Sequence, residues 1–411
     1  MTFYELYCRA FQKIFYIGQN FWEWIDPKLL KGSGSVTELP ALIRSRKIDR
    51  VLLVTGPTVT KIGLTAPLLQ SLKKAGIFCA VYSETSADPS TKNIEAALQL
   101  YRENKCRGII AFGGGSPMDC AKMVGLAYAY PRKGTKKLRG IQPIMLKGTP
   151  KLFAVPTTAG TGSETTIAAI VTDPDTHRKY SVLTPKLRPN YAVLDPELTV
   201  GLPPHITAAT GMDALTHAVE AYIGKCNTPR TKKAALRAVP LIFQNLETAY
   251  RDGTNLAARE NMLQASYDAG IAFTRAYVGY AHGIAHAIGG LYSVPHGLAC
   301  AVILPHVLAF YGAAAHKRLA DLTDAAGIAR DGQTLSEKAE TFIKAIRDQN
   351  VRLGIPAGFD CIREEDIPTI AAQALRESNP LYPVPKIINQ AQCEALVKTL
   401  LDQRSAAAVP L

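Results

Sequence analysis

The sequence lacks the features that mark secreted, membrane-spanning and zinc-finger proteins. Its eight cysteines form no Cys-x-x-Cys pair, which speaks against a disulfide framework or a cysteine-based zinc site and favours a reducing cytoplasm. No run reaches the roughly 18 uninterrupted apolar residues of a membrane helix. The apolar stretch 298–310 is shorter and carries His306, so we expect a buried helix there.

Dense blocks of like charge are also missing, although the formal net charge is +13. Without such blocks, and without zinc-finger or RNA-binding signatures, we expect no nucleic-acid partner. We interpret the excess of basic residues as a solvated surface that suits an anionic cofactor.

The first 25 residues form an aromatic segment with helical spacing. Phe3 and Phe11 belong to this pattern, and Arg9 and Lys13 lie between its apolar positions, which argues against a signal peptide. We expect residues 1–26 to pack on the body of the protein or on a partner subunit. Contact with a membrane surface is the alternative.

Residues 27–203 alternate predicted strands and helices. The strands are predicted at 51–54, 78–82, 108–112 and 152–155, the helices near 61–75 and 91–104, and a hairpin at 167–172 and 179–183 around Asp173-Pro174-Asp175. Such alternation predicts a parallel sheet covered on both faces, with ligands at the carboxyl ends of its strands. Beyond Leu202-Pro203-Pro204 helical periodicity dominates, which predicts a helical domain over 204–411.

A glycine turn follows the third predicted strand. It reads Gly113-Gly114-Gly115, and we expect Ser116 to cap the next helix, Pro117 to be its first residue and Asp119 to complete a capping box. Free N–H groups at such a helix start attract a phosphate, although a turn without a ligand has the same sequence. A Gly-x-Gly-x-x-Gly fingerprint is missing after the first strand, which argues against an ordinary Rossmann dehydrogenase.

A second loop, Pro156–Glu164, is rich in hydroxyl groups and reads PTTAGTGSE. It follows a predicted strand, so its polar groups could surround a ribose and a pyrophosphate, whereas the alternative is an ordinary polar turn.

Two compact clusters of histidines carry the strongest chemical signal. Asp213 and His217 are four residues apart, as are His282 and His286, so each pair shares one helix face. His296 follows in a loop after Gly289-Gly290 has ended the second helix. Any one of these histidines alone would more often be a hydrogen-bonded core residue. Together they predict a site for a divalent cation, either iron or zinc.

These segments together resemble the iron-containing, or group III, alcohol dehydrogenase family. The resemblance rests on GGGSPMD at 113–119, PTTAGTGSE at 156–164, GMDALTHAVE at 211–220 and HGIAHAIGGLYSVPH at 282–296. It covers roughly residues 27–405. The resemblance implies a dehydroquinate synthase-like fold, with an α/β N-terminal dinucleotide-binding domain (27–203) and an all-α C-terminal metal-binding domain (204–411).

The resemblance also assigns roles to single residues. It implies metal ligation by Asp213, His217, His282 and His296, proton relay by His286, and a substrate-side wall at Phe273. It implies cofactor binding by Gly113, Gly114, Gly115, Ser116, Asp119, Thr157, Thr158, Thr161, Ser163 and Lys179. The expected reaction is hydride transfer between a small alcohol and NAD or NADP, with Fe²⁺ or Zn²⁺, in a homo-oligomer.

One position departs from the family pattern, and several rival functions stay open. Many family members have an acidic residue after the first strand where this sequence has Gly56, which makes NADP more acceptable because no carboxylate repels a 2′-phosphate.

The rivals are a glycerol dehydrogenase, a hydroxyacid-oxoacid transhydrogenase and a dehydroquinate synthase-like lyase. A metal-binding structural protein would leave both cofactor loops unexplained.

Overall fold

The computed structural model describes residues 2–142, 145–174 and 178–401. Within them the helices, α1 to α16 in chain order, are Phe3–Gln19, Leu39–Ser45, Pro57–Lys61, Ala66–Lys74, Thr91–Glu103, Gly115–Ala129, Gly134–Lys137, Pro204–Ile223, Pro229–Arg251, Leu256–Ala276, Tyr280–Tyr292, His296–Tyr311, His316–Ala325, Leu335–Arg352, Ile367–Ser378 and Gln390–Lys398. The strands, β1 to β9, are Lys28–Lys31, Arg50–Val54, Phe78–Tyr82, Gly108–Gly113, Gly140–Ile141, Lys151–Pro156, Ala168–Asp173, Arg178–Leu183 and Tyr191–Leu194.

The chain divides into two compact units. An α/β unit comprises Trp22–Gly201 and Thr254–Gly270, and a helical unit comprises Met1–Phe21, Leu202–Gly253 and Ile271–Leu411. The grouping of 254–270 with the α/β unit was not predicted from the sequence, and the domain bounds given above stay a prediction.

The α/β unit is built on a six-stranded parallel sheet in the order β1-β9-β6-β4-β2-β3. Along β2, Val51 and Leu53 pack in a core on one face, and Leu52 and Val54 pack in a second core on the other face. Both cores are covered by helices, which explains why the central strands read as continuous apolar runs. The predicted parallel sheet is therefore confirmed.

A second, three-stranded sheet contains the predicted hairpin. Strands β7 and β8 pair in antiparallel fashion, and β5 joins β8 in parallel. The predicted turn residue Asp175 lies outside the described residues. The helix expected near 61–75 is two helices, α3 and α4, because the chain turns at Gly63 with a φ of 73°.

The helical unit packs its helices pairwise, with α8 against α9 and α12, and α11 against α12 and α15. Segment His296–Ala314 is long and apolar enough to cross a membrane, and it is the one such helix among the described residues. More than half of its apolar window (56%) is buried inside the unit. This burial agrees with the expectation of a core helix for 298–310.

Helix α1 docks on the helical unit through polar side chains. Gln12 donates to the carbonyl oxygens of Pro380 and Tyr382, at 3.0 and 2.8 Å, and Arg9 donates to that of Val384 at 2.8 Å. Several apolar side chains on the same helix are exposed, among them Phe3 at 89% and Ile14 at 71%, whereas Cys8 is buried and Phe15 lies against the ring of Tyr277. The segment therefore packs on the body of the protein, which was one of the two predicted outcomes.

Candidate functional site

Helix α8 carries the first two predicted metal ligands on one buried face. Asp213 and His217 are 2% and 6% exposed, and Asp213 Oδ1 lies 3.9 Å from His217 Nδ1. The ring of His217 stacks on Phe273, with 4.0 Å between ring centroids. Phe273, the predicted substrate-side residue, thus fixes the orientation of a predicted ligand.

Helix α11 brings His282 to the same carboxylate. His282 Nε2 lies 3.7 Å from Asp213 Oδ1, while its Nδ1 lies 2.6 Å from Glu220 Oε2. A carboxylate only accepts hydrogen bonds, so Nδ1 carries a proton, and Nε2 is the nitrogen that faces Asp213, where a metal ion would replace any proton. Glu220 also accepts from the backbone N–H groups of Gly279 and Ala281, at 2.7 and 2.8 Å. This buried acid therefore anchors the start of α11 as well as the imidazole.

His296 completes the group from the first turn of α12. Its Nε2 lies 3.5 Å from Asp213 Oδ1. The expectation that His296 lies in a loop was wrong: α11 runs on to Tyr292, past Gly289-Gly290, and His296 is the first residue of α12. A side chain at Gly297 would overlap the carbonyl oxygen of Ala209, so a glycine there allows α12 to approach α8.

The four side chains, called here the donor cluster (Asp213, His217, His282 and His296), fit a divalent cation. Asp213 Oδ1 and His282 Nε2 are buried and make no hydrogen bond. Polar atoms buried in this way need a partner, and a cation between them would satisfy both. One carboxylate with imidazoles is a donor set suited to iron or zinc.

Electrostatic effects within the donor cluster also favour a cation. Burial alone would raise the pKa of Asp213, but His217 and His296 hold it well below its ordinary value. Burial alone would lower the pKa of His296, but Cys300 and Asp213 raise it to about 10. The cluster therefore attracts positive charge, and a metal ion must compete with protons for the imidazoles.

Cys300 lies against the donor cluster, although the spacing of the cysteines argued against a cysteine-based zinc site. It follows His296 by one turn of α12, and its Sγ is 3.6 Å from His296 Nε2. Burial alone would raise its pKa, but His282 and His296 lower it below the ordinary value. The signal was present in the sequence, because residues four apart share a helix face.

His286 lies beside the donor cluster and is oriented by a different acid. Its Nδ1 is 2.6 Å from Glu377 Oε1, and its ring stacks on His296 with 5.0 Å between centroids. The hydroxyl of Tyr382 donates to the same Glu377 oxygen at 2.6 Å. Unlike His282, His286 is partly exposed, with 37% of its side chain accessible.

The glycine turn between β4 and α6 has the geometry of a close backbone approach. Gly113 has a φ of 143°, and a Cβ there would lie 2.8 Å from Pro117 Cγ, so only glycine fits. Helix α6 begins at Gly115 with Gly114 as its N-cap, so the prediction of Ser116 as N-cap was wrong. The hydroxyl of Ser116 donates instead to the carbonyl oxygen of Ala87.

Asp119 and Lys122 connect this helix to the second loop. The Asp119 carboxylate accepts from Ser163 Oγ and from the N–H of Ile170, both at 2.9 Å, and does not complete a capping box. The buried Lys122 Nζ donates to Ser163 Oγ and to Thr166 Oγ1, both at 2.7 Å. Neither role of Asp119 or Lys122 was predicted, because both depend on tertiary contacts.

The remaining predicted cofactor residues differ in their surroundings. Thr157 and Ser163 are buried, whereas Thr158 and Thr161 are half-buried and lie next to Gly114 and Gly115. Lys179 on β8 makes an exposed ion pair with Asp88, at 2.7 Å between Nζ and Oδ1.

Comparison with known proteins identifies the family. The model named "Iron-containing alcohol dehydrogenase" matches residues 26–196, and the one named "Fe-containing alcohol dehydrogenase family, C-terminal" matches 207–401. The 1,3-propanediol dehydrogenase of Citrobacter freundii is 40% identical over 334 residues, which are 80% of this chain and 86% of that protein. The NAD-dependent methanol dehydrogenase of Bacillus methanolicus is 35% identical over 363 residues, which are 87% of this chain and 95% of that protein.

A solved structure, alcohol dehydrogenase from Oenococcus oeni, superposes with a TM-score of 0.88 at 33% identity, covering 92% of this chain and 100% of that one. The chain therefore belongs to the iron-containing alcohol dehydrogenase family. The predicted family, the fold class and the reaction class, oxidoreduction of alcohols and aldehydes, are confirmed. The whole of helix α1 lies outside the residues that the two family models match.

Proposed function

We propose that the chain binds ferrous iron through the donor cluster and interconverts a small primary alcohol and its aldehyde with NAD. The main support is the buried Asp213 carboxylate, whose Oδ1 lies within 3.9 Å of a nitrogen atom of His217, His282 and His296. Iron is the metal in the family's name, and zinc suits the same donors.

When bound, the ion would supply Lewis acidity for an alcohol oxygen and the nicotinamide would accept the hydride. The chain's own residues hold and move the protons. Glu220 would hold a proton on His282 Nδ1, which leaves Nε2 as the nitrogen for ligation. His286 donates through Nδ1 to Glu377, which leaves its Nε2 to take up a proton from a substrate hydroxyl.

The proposed cofactor contacts lie at the carboxyl ends of β4 and β6. The N–H groups of the turn Gly113–Gly115 and the start of α6 would bind the pyrophosphate, because the turn exposes its backbone at a helix start. Thr158, Thr161 and Lys179 would contact the riboses. We propose NAD because a relative's name specifies it. NADP could also bind, because Gly56 has no carboxylate that would repel the 2′-phosphate.

The substrate proposed is small because Phe273 lies against His217 and would form an apolar wall beside the metal. Two relatives are named for short alcohols, 1,3-propanediol and methanol. We further propose that the protein lies in the cytoplasm, because all eight cysteines are free, as in a reducing compartment. We also propose that it forms a homo-oligomer, which light scattering would test.

The test is a set of initial rates on protein reconstituted with Fe²⁺ or Zn²⁺, with NAD and NADP supplied separately. Methanol, ethanol and 1,3-propanediol serve as substrates. We expect turnover that depends on added metal and is lost in Asp213→Asn. The ratio of kcat/KM for the two cofactors would show whether Gly56 admits NADP.

Two outcomes would contradict the proposal. Turnover that needs an added oxoacid but no free NAD would assign a transhydrogenase. Folded protein with bound metal and no oxidation of any of these alcohols would exclude a small primary alcohol as the substrate.

A further inference from the structure

Four atoms that could bind a metal ion lie close together. Three belong to residues of the donor cluster and the fourth is the sulfur atom of Cys300. They come from Asp213, His282, His296 and Cys300, and all lie within 4.8 Å of one another. We call these residues the thiol set. Cys300 is fully buried on α12, so its Sγ faces this group and not solvent.

Three of the distances between these atoms are close to the edges of a tetrahedral metal site, and no two of the atoms are more than 4.8 Å apart. With metal–sulfur bonds of about 2.3 Å and metal–nitrogen bonds of about 2.05 Å, tetrahedral ligands lie about 3.3–3.6 Å apart. Cys300 Sγ lies 3.6 Å from His296 Nε2, and Asp213 Oδ1 lies 3.5 and 3.7 Å from the Nε2 atoms of His296 and His282. The distance from Asp213 Oδ1 to His217 Nδ1 is longer, 3.9 Å.

A simple hydrogen bond does not account for this arrangement. A thiol that donates to His296 would satisfy one nitrogen atom. Asp213 Oδ1 and His282 Nε2, both buried, would still make no hydrogen bond. One cation at the centre of the thiol set would satisfy all four atoms at once.

We propose that Cys300 is a sulfur ligand, which gives this metal centre a second donor set of two nitrogens, one oxygen and one sulfur. The proposal rests on the metal centre of the proposed function and adds to it a preference for thiophilic ions, zinc above all. On binding, the thiol loses its proton to solvent and the thiolate bonds to the ion. Thiolate ligands favour zinc over the harder cations.

Cobalt substitution tests this ligation on the full chain. The protein is stripped with a chelator and titrated with Co²⁺, whose visible bands report binding whichever residues ligate it. A thiolate ligand adds a sulfur-to-cobalt charge-transfer band in the near ultraviolet. We expect both features in the wild type, and we expect Cys300→Ser and Cys300→Ala to keep the visible bands and lose the ultraviolet band.

Cys393→Ser is the matched control, since Cys393 is equally buried but lies on α16, outside the thiol set. It should retain both features.

Cadmium affinity should fall at least about tenfold in Cys300→Ser and stay unchanged in Cys393→Ser. Because the variants could fold poorly, X-ray absorption on the wild-type zinc protein gives an independent count, with one sulfur expected at about 2.3 Å.

The failures of the two proposals are distinguishable. Visible cobalt bands without an ultraviolet band, an ultraviolet band that persists in Cys300→Ser, or no sulfur around zinc would overturn the sulfur ligand and leave the metal centre in place. Folded wild-type protein that binds no cobalt would overturn both.

Discussion

At the scale of single residues, Glu220 determines which nitrogen of His282 faces the donor cluster. Its carboxylate accepts from His282 Nδ1 at 2.6 Å. The amide in Glu220→Gln has nearly the same shape but no charge, so it orients the imidazole less strictly. We expect metal affinity to fall roughly 10–100-fold while the fold is retained. Competition with a chromophoric chelator measures this, and Glu364→Gln, at an exposed position, is the control. Equal metal affinities in Glu220→Gln and Glu364→Gln would show that Glu220 does not support metal binding.

The two histidines of α11 should respond differently to removal. His282→Ala removes a buried, proposed ligand and should lose the metal after dialysis. His286→Ala should keep the metal and lower kcat about 100-fold or more, because only the proposed proton-transfer group is removed. Metal analysis and initial rates on the same samples separate the two effects. Equal loss of metal in both variants would contradict the division of roles between them.

The sequence was sufficient to predict the members of the donor cluster but not the residues that position them. Asp213 and His217 are recognisable because their spacing of four puts them on one helix face, and His282 and His296 because of the family motif. Glu377 contacts His286 although the two residues are 91 positions apart in the sequence, and no local sequence pattern predicts such a contact. Cys300 could have been found, since it lies one turn beyond His296.

At the scale of elements, the strongly periodic strands and helices were predicted and the short ones were not. Strand β3 was predicted with its exact bounds, 78–82, because it is apolar and bounded by turn residues. Strands β1 and β9 were missed; β1 reads KLLK, with a lysine at each end, and its structure comes from parallel pairing with β9. The start of α6 was misplaced because a glycine, not a hydroxyl side chain, precedes it.

The contact between α6 and the second loop contains a carboxyl group whose ionisation is unfavourable. Glu164 is 1% exposed, and its Oε1 makes no hydrogen bond. Burial raises the pKa of Glu164 from 4.5 to about 7, although a backbone N–H and Lys122 oppose the rise. The folded state therefore holds this proton more tightly than the unfolded chain does. The resulting stability is complete below pH 4.5 and is lost as the pH rises through 7.

Glu164→Gln should remove this pH dependence. The variant cannot ionise, so we expect nearly equal free energies of unfolding at pH 5 and a variant more stable by about 2–3 kcal/mol at pH 8. Urea unfolding followed by tryptophan fluorescence suits the measurement, because both tryptophans, Trp22 and Trp24, belong to the α/β unit. Glu84→Gln, at an exposed position, is the control. Identical pH profiles for wild type and Glu164→Gln would contradict the role of burial.

Helix α1 should be held by its polar contacts and not by its exposed apolar side chains. Arg9→Ala combined with Gln12→Ala removes four hydrogen bonds to carbonyl oxygens at 380–385. Each contributes about 0.5–1.5 kcal/mol, so we expect faster proteolysis within residues 2–21. Phe3→Ser combined with Ile14→Ser changes only exposed side chains and should leave the cleavage rate unchanged. Faster proteolysis of the Phe3→Ser and Ile14→Ser double variant than of the Arg9→Ala and Gln12→Ala double variant would show that Phe3 and Ile14 are covered in solution.

At the scale of the whole molecule, the residues predicted to bind the metal and those predicted to bind the cofactor belong to different units of the chain. The donor cluster lies in the helical unit, whereas both predicted cofactor loops lie in the α/β unit. The sequence predicted this separation, since the glycine and threonine motifs precede 203 and the histidines follow it. It could not predict that 254–270 groups with the α/β unit. There a Cβ at Gly162 would lie 2.8 Å from the Cα of Gly270, a close approach that no local pattern encodes.

Each ligand should therefore protect its own set of backbone amides from hydrogen exchange. A divalent ion at about 100 times its Kd stabilises the bound state by about 2.7 kcal/mol, which slows exchange roughly 100-fold wherever opening releases the ligand. We expect the ion to protect α8, α11 and the first turn of α12, and NAD to protect 113–119 and 156–164. Asp213→Asn should abolish the first pattern and leave the second, which makes it the control for nonspecific effects. Protection of 113–119 by the ion alone, with none in α8, would place the metal outside the donor cluster. Absence of protection at 113–119 with saturating NAD would exclude the glycine turn as the pyrophosphate site.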